Sequence, residues 1–285
     1  MPDVTLRPLS FGEIIDRAVN LFRRLFVPLV LVQIICTGVL VPLQLYLAAS
    51  GRQVSGLYVV AMLLNVVLSA LASAAVALLI SESYLGRELG AMDAIRKAMP
   101  KVWPVVLLSI ALGFVLILSA LPALLAFGVA VSLLVPTGGA ITTTGLPLAA
   151  GLFLSGFLLL LLPLAVFAGL AVSTPALVLE DLQAGAALRR SWTLTRGARL
   201  RTIGLLLVTS LLIMIPFLGI GMLGGLFAGE HGPSATTGVV FTVLTLATVF
   251  VLAPLFYCVM TLLYYDLRVR KEAFDLQMLA ESLAG

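Results

Sequence analysis

Six long apolar segments without a single charged residue constrain this chain more than any other feature. A helix needs about 20 apolar residues to cross a hydrocarbon core of about 30 Å. Inside a bilayer a segment must satisfy its own backbone hydrogen bonds, so each segment is expected to be a transmembrane helix. We therefore predict an all-α membrane protein, with residues 1–285 as a single polytopic domain. The predicted spans are at about residues 27–48, 57–81, 105–135, 148–179, 202–227 and 238–265.

The composition agrees with a chain that lies mostly in lipid. Apolar residues make up 61% and charged residues 11% of the sequence, whereas soluble domains have about 25% charged residues. Two cysteines, Cys36 and Cys258, lie inside apolar segments. They are typical of small core residues rather than of a disulfide, because a disulfide needs an oxidising compartment.

The distribution of Lys and Arg predicts the orientation. Of 17 basic residues, all but Arg52 precede the first span, occupy the second or fourth loop, or follow the sixth span. Because basic residues concentrate on the cytoplasmic side, both termini are expected in the cytoplasm, with residues 266–285 as a charged, helical tail. A secretory signal peptide with a cleavage site near residues 48–50 is the alternative for the N-terminal region. The charged part of the N-terminal region is too long for a signal peptide.

Three basic amphipathic segments precede or separate pairs of spans. Residues 1–26 are predicted to form an interfacial helix that begins with a capping box of Ser10 and Glu13. A weaker candidate lies within residues 82–104, and the strongest covers residues 185–198. Basic amphipathic helices of this kind lie at the membrane surface.

The third segment supplies the main candidate site residues. Arg189, Arg190 and Arg196 share one face of the predicted helix, and Trp192 lies on the other. Arginine at the phosphates and tryptophan at the headgroup level are typical of a cytoplasmic membrane surface. The alternative is that these arginines only determine the topology.

The chain is consistent with a threefold repeat of one amphipathic helix followed by two spans. The units would cover residues 1–85, 86–180 and 181–285, with Pro42, Pro122 and Pro216 at similar places in the first span of each. We expect Pro122 to kink or break the over-long third span. Since any six-span protein alternates its loops between two sides, part of this likeness is automatic.

The predicted spans contain few side chains that could bind an ion or a polar ligand. Ion-coupled transporters usually need an ionisable group within the membrane, and none is present. Gln33, Gln44 and Asn65 are the amides within spans, and we expect them to form interhelical hydrogen bonds. The alternative is a polar pocket between helices.

Enzyme motifs are also missing from the sequence. The single histidine, His231, has only Glu230 beside it, which is too few ligands for a metal site. No glycine-rich nucleotide-binding motif stands between a strand and a helix. We therefore expect no catalysis, no cofactor and no nucleic-acid partner.

Several stretches resemble one family. They read LRPLSFGEIIDRA at Leu6–Ala18, PALVLED at Pro175–Asp181, ALRRSWTLTRG at Ala187–Gly197, and LLYYDLRVRKEAFDL at Leu262–Leu276. This arrangement resembles bacterial membrane proteins related to the membrane domain of glycerophosphoryl diester phosphodiesterases. The resemblance implies a bacterial inner membrane.

In two-domain members of that family an attached soluble barrel carries the activity. Twenty residues follow Tyr265, so we expect no such domain here and do not transfer the activity. The positions matched to the family are Glu13, Asp16, Arg17, Arg189, Arg190, Ser191, Trp192, Tyr265, Asp266 and Arg268.

The charged residues at the span ends are candidates for structural ion pairs as well as for headgroup contacts. Glu180 and Asp266 are expected to pair with Arg189, Arg190 or Arg17 and so to connect the units. Arg268 belongs to the same candidate set.

Two functions remain open from the sequence. The first is a non-enzymatic module that scaffolds or regulates a membrane partner. The alternative is a transport or lipid-handling component with a cavity beside kinked helices. Membrane lipids are the expected partners, together with another membrane protein or a second copy of the chain.

Overall fold

The structure is a computed structural model that describes residues 9–50, 56–134, 145–227 and 235–272. Within these ranges every regular element is a helix, which confirms the all-α prediction. The α-helices are α1 (Phe11–Arg24), α2 (Phe26–Thr37), α3 (Val41–Ser50), α4 (Gly56–Tyr84), α5 (Ala91–Ala98), α6 (Val102–Leu134), α7 (Gly145–Leu159), α8 (Leu161–Leu170), α9 (Ser173–Leu179), α10 (Ala184–Thr195), α11 (Arg199–Phe227) and α12 (Ala235–Glu272).

Six helical stretches of the described chain are long and apolar enough to cross a membrane, as predicted. They are Phe26–Ser50, Gly56–Tyr84, Ala91–Leu134, Leu146–Leu179, Arg199–Gly224 and Thr236–Glu272. The sixth continues beyond Tyr265 without a break, so the start of the predicted tail is helical up to Glu272.

Of the kink or break predicted at Pro122, the break is wrong. Helix α6 is continuous from Val102 to Leu134, with Pro122 inside it. A proline removes one backbone hydrogen bond, and neighbouring helices and local adjustment let a transmembrane helix tolerate that loss. Pro216 likewise lies inside α11.

The first and fourth spans are interrupted instead. A 3₁₀ turn at Gly38–Leu40 separates α2 from α3, and Pro42 is the second residue of α3. The fourth span consists of α7, α8 and α9, in which Pro163 and Pro175 are each the third residue of their helix. Because the first four N–H groups of a helix have no intrahelical partner, a proline there leaves the hydrogen bonding intact.

The core lies at one end of the bundle. The second half of α4 is almost fully buried, with Ala72, Ala74, Ala75, Val76 and Ala77 between 0 and 1% exposed. Their small side chains let α2, α6, α9 and α12 approach closely. The first half of α4 instead exposes large apolar side chains such as Leu63, at 63%, as expected for a surface in contact with lipid.

The three amphipathic helices all lie at this same end, which we call the charged end; it comprises α1, α5, α10 and residues 264–272 of α12. Helix α1 has the predicted capping box: Ser10 N–H donates to Glu13 Oε2 at 2.6 Å, and Glu13 N–H donates to Ser10 Oγ at 3.3 Å. It buries Ile14 and Ala18 and packs on α12. The interfacial helix is therefore docked onto the protein.

The order of one amphipathic helix and two spans occurs three times in the described part of the chain. A repeat of one unit stays a prediction. In the third unit, α10 ends at Thr195, earlier than the predicted end at residue 198. Gly197, with φ at +87°, forms the turn into α11. A positive φ favours glycine at that position because it has no Cβ.

Candidate functional site

A network of charged side chains centred on Arg190 joins α9, α10 and α12. Arg190 Nε donates to Glu180 Oε2 at 2.8 Å, and Arg190 Nη2 donates to Glu180 Oε1 at 2.9 Å and to Glu272 Oε2 at 2.8 Å. The pKa of Arg190 is raised, first by the hydrogen bonds to Glu272 and then by those to Glu180. The predicted pair of Glu180 with Arg190 is therefore present.

Arg268 and Tyr264 complete this network from α12. Arg268 Nε donates to Glu272 Oε2 at 3.1 Å and lies 3.8 Å from Glu180 Oε1. The Tyr264 hydroxyl donates to Glu180 Oε1 at 2.6 Å. Two arginines thus face two glutamates, and these four side chains have no formal net charge.

Asp266 is the centre of a second network. Its side chain is 0% exposed, forms an ion pair with Arg201 Nη1 at 3.0 Å and accepts a hydrogen bond from Arg270 Nε at 3.0 Å. The N–H of Leu9 also donates to it, at 2.7 Å. The partners of Asp266 are therefore Arg201 and Arg270, and the expectation of Arg17, Arg189 or Arg190 is wrong for this carboxylate.

Arg17 contacts an aromatic layer beneath the charges. Its guanidinium lies beside Tyr84, whose ring lies 5.2 Å from that of Tyr265. The hydroxyl oxygens of Tyr265 and Ser81 are 2.6 Å apart. Arg17 thus lies where α1 meets the ends of α4 and α12.

Trp192 packs closely on α8. A Cβ atom at Gly169 would lie 2.5 Å from two atoms of the indole ring, so only glycine fits there without a shift. The Gly169 carbonyl accepts from Ser191 Oγ and Thr195 Oγ1, both at 3.0 Å. The guanidinium of Arg199 lies 4.0 Å from the centroid of the Trp192 ring, a cation–π contact.

Five cationic side chains, two of them from the Asp266 network, surround a surface depression of about 1170 Å³, which we call the basic depression. It lies between the α10–α11 turn and the end of α12. Its charged lining residues are all positive: Arg196, Arg199, Arg201, Arg270 and Lys271. Trp192 and Leu200 line it as well, with 40% and 87% exposure. Of the predicted headgroup residues, only Trp192 and Arg196 lie here; Arg189 is exposed outside it.

Hydrogen bonds hold the walls of the basic depression in place. Lys271 Nζ donates to the carbonyls of Thr193 at 2.8 Å and Arg196 at 2.5 Å, which ties the end of α10 to α12. In contrast, the Nε atoms of Arg199 and Arg201 are buried without an acceptor among the described residues. Buried donors of this kind are usually paired with water or an ion.

Sequence reasoning missed Arg199, Arg201, Arg270 and Lys271 as site residues. One signal was available: Asp266 and Arg270 are four residues apart and therefore adjacent on a helix. The contacts of Arg201 and Lys271 join distant parts of the chain, and no spacing in the sequence indicates them.

Among the described residues no group of His, Cys, Asp and Glu could hold a metal ion. His231 and Glu230 lie outside the described ranges, so the structure does not place them. Both cysteines are buried and unbonded.

One comparison with known proteins decides the family. The family described as "Domain of unknown function (DUF8558)" matches residues 53–285. The chain belongs to this family. The matched region begins just before α4 and includes the Arg190 network, the charged side chains of the Asp266 network and the basic depression. No curated protein and no solved structure matches the chain. The resemblance to the phosphodiesterase membrane domain stays a prediction.

Proposed function

We propose that this DUF8558 protein is a non-enzymatic membrane module that binds phosphate-bearing lipid headgroups in its basic depression. The observation that supports this most strongly is the set of five cationic side chains around one depression, with no carboxylate in its lining. A Lys or Arg near an anionic membrane surface contributes about 1 kcal/mol of attraction. A phosphate diester can approach several of these cations at once.

The rigidity of the site also supports headgroup binding. Arg201 and Arg270 are held by Asp266, and Lys271 is held by two main-chain carbonyls. Side chains that are already fixed lose less conformational entropy when a ligand binds. Arg196 and Arg199 have no ion pair among the described residues, and their charge is not neutralised by a nearby carboxylate.

The aromatic and apolar lining fits a position at the membrane surface. Trp192 and Leu200 project beside the cations, and tryptophan is enriched at the headgroup level of membrane proteins. We further propose a bacterial inner membrane with both termini in the cytoplasm, so that the ligand comes from the inner leaflet. The bias of Lys and Arg and the family resemblance support this orientation.

The Arg190 network has a different role in this proposal. Arg190 and Arg268 are matched by Glu180 and Glu272 and lie outside the lining of the basic depression. We assign them to holding α9, α10 and α12 together. The headgroup residues are then Arg196, Arg199 and Trp192.

The test compares two double variants in lipid nanodiscs. Arg196→Ala with Arg199→Ala removes two charges from the basic depression. Arg23→Ala with Arg24→Ala removes two exposed charges from the end of α1, also at the charged end. Native mass spectrometry measures the affinity of the purified protein for phosphatidylglycerol.

We expect the first double variant to bind phosphatidylglycerol about 30-fold more weakly, from about 1 kcal/mol for each arginine. The control should lose little. Equal losses in both variants would mean diffuse attraction to the charged end and would contradict a site. If both variants kept the wild-type affinity for phosphatidylglycerol, the headgroup site would be contradicted. A scaffold or regulator of a membrane partner would then be the better prediction.

A further inference from the structure

A second cavity lies far from the basic depression, between α3, α4 and α12. Its volume is about 460 Å³, and we call it the polar notch. Gln44, Tyr58, Asn65 and Thr242 line it together with apolar side chains, and none of its lining residues is charged. The two amides were expected to form interhelical hydrogen bonds. Within the described part of the chain, the structure shows no side-chain hydrogen bond of either one.

The polar notch is built by a close approach of α3 and α12. A Cβ atom at Gly238 would lie 3.3 Å from the carbonyl oxygen of Ala48, so the two backbones nearly touch there. Gln44 lies one turn before Ala48, and Thr242 lies one turn after Gly238. Because the two helices run in opposite directions, these side chains reach the same opening.

Helix α4 supplies the third wall. Tyr58, Met62 and Asn65 are spaced by four and then three residues, so they share one face of the helix. Asn65 is 16 residues from Ser81 at the charged end, a distance of about 24 Å at 1.5 Å per residue. In a hydrocarbon core of about 30 Å, the polar notch lies in the leaflet opposite the charged end.

The lining defines the chemistry of a ligand. Each amide offers two N–H donors and one carbonyl acceptor. The Thr242 hydroxyl already donates to the carbonyl of Gly238 at 2.8 Å, so its oxygen is left to accept. Neutral groups that both donate and accept fit this set, whereas a phosphate or an ammonium would be buried without a counterion. A volume of this size is typical of small-ligand pockets.

We infer that the polar notch binds an uncharged group with several hydroxyls, as in the sugar of a glycolipid. The inference is independent of the proposed phosphate site, because it uses other residues in the other leaflet. A free sugar has the same chemistry as a glycolipid headgroup, so the experiment must separate the two sources.

Native mass spectrometry in nanodiscs can test the inference with monoglucosyldiacylglycerol as the probe. Diacylglycerol with the same acyl chains shows what the sugar contributes. Methyl β-D-glucoside, added as a competitor, shows whether a free sugar suffices. The variants are Asn65→Leu and Gln44→Leu, which remove the amide while keeping a side chain of similar size.

Two matched substitutions on α12 distinguish the loss of a ligand contact from a change in folding. Thr242 and Thr248 each donate to a carbonyl four residues earlier in the same helix, but only Thr242 lines the polar notch. Thr242→Val and Thr248→Val therefore have the same effect on the helix. Only the first removes an acceptor from the cavity.

We expect the glucosyl lipid to bind more tightly than diacylglycerol and to bind about tenfold more weakly to Asn65→Leu and Gln44→Leu. Thr242→Val should lose a few-fold, and Thr248→Val nothing. Competition by methyl β-D-glucoside would identify an aqueous sugar as a sufficient ligand, and no competition would identify the lipid. Equal binding of diacylglycerol, or equal binding by Thr242→Val and Thr248→Val, would overturn the inference. The Arg196→Ala and Arg199→Ala double variant should bind the glucosyl lipid normally.

Discussion

The buried carboxylate of Asp266 accepts a hydrogen bond from the main-chain N–H of Leu9 at 2.7 Å, across 257 positions of sequence. The carbonyl of Leu9 accepts from Arg201 Nη2 and from Arg270 Nη2, both at 2.5 Å. Both polar backbone groups of this residue are therefore held by side chains that also pair with one another. The start of α1 is thereby fixed to the start of α11 and the end of α12.

This arrangement predicts a large loss of stability in Asp266→Asn. The amide would leave Arg201 and Arg270 without their carboxylate, and its NH₂ group would face their guanidinium groups. Removing one partner from a buried, charged hydrogen-bonded group costs about 1–3 kcal/mol or more. Thermal unfolding in detergent should therefore occur at a lower temperature than in the wild-type protein.

Asp93→Asn is the control for this substitution. Asp93 is exposed in the first turn of α5, and no ion pair involves it among the described residues. Its replacement should cost about 0.3–1 kcal/mol, from the lost interaction with the helix dipole. If Asp266→Asn were no more destabilising than Asp93→Asn, Asp266 would not be the link between the two ends of the chain.

Gly169→Ala should disturb Trp192 specifically. The new methyl group would lie 2.5 Å from the indole, so the ring or α10 must shift. Overpacking of this kind costs about 1–3 kcal/mol. In a Trp103→Phe background the emission of Trp192 reports the shift directly.

Gly128→Ala is the matched substitution in an open position. Gly128 lies inside α6, and a methyl group added there would point into open space, with no neighbouring side chain within 4 Å. Alanine there should be neutral or stabilise the helix by about 0.5–1 kcal/mol. A Gly169→Ala protein with unchanged stability and unchanged Trp192 emission would show that the close contact between α8 and α10 is not required.

Arg190→Ala should destabilise the protein without weakening phosphatidylglycerol binding. It leaves Glu180 and Glu272 without their main partner, at a cost of about 1–3 kcal/mol. Arg196→Ala should weaken phosphatidylglycerol binding and leave the stability unchanged, because Arg196 is exposed and lies in the basic depression. Unfolding and lipid titration of both variants check this separation, and weaker lipid binding by Arg190→Ala at unchanged stability would contradict it.

The contribution of the Arg190 charge should not depend on pH in the ordinary range. Its pKa is raised above the usual arginine value by Glu272 and Glu180. A raised pKa means that the stabilisation is fully present below the unfolded-state pKa of arginine and is lost only above it. On the alkaline side, the stability difference between wild type and Arg190→Ala should therefore be the same at pH 7 and pH 9.

Much of the fold follows from the sequence because a segment inside a bilayer must satisfy its own backbone hydrogen bonds. Charge-free segments of sufficient length must be helices, and this gave six spans. The capping box at Ser10 and Glu13 is a local pattern and was also predictable. The continuity of α6 through Pro122 was not predictable, because whether a proline interrupts a long helix depends on the neighbours that can accommodate the lost hydrogen bond.

The candidate site was less predictable than the fold. The pair of Glu180 and Arg190 could be proposed because both residues were predicted on the same side of the membrane, at the end of the fourth span and in the loop after it. The contacts of Asp266 with Leu9 and Arg201 depend on how α1, α11 and α12 are arranged, which no spacing reveals. The sequence therefore indicated a basic face and named Trp192 and Arg196, which line the basic depression, but also Arg189 and Arg190, which do not. The lining residues that it missed are Arg199, Arg201, Arg270 and Lys271.

Cysteine accessibility tests the central claim that the charged end faces one side of the membrane. In a background with Cys36→Ala and Cys258→Ala, single cysteines replace Ser50, at the far end of α3, and Thr193, at the charged end. A membrane-impermeant maleimide is added to sealed vesicles of one orientation. We predict that one site is labelled before the vesicles are opened and the other only afterwards. Labelling of both sites from the same compartment would contradict the six-span arrangement and the roles assigned to the arginines.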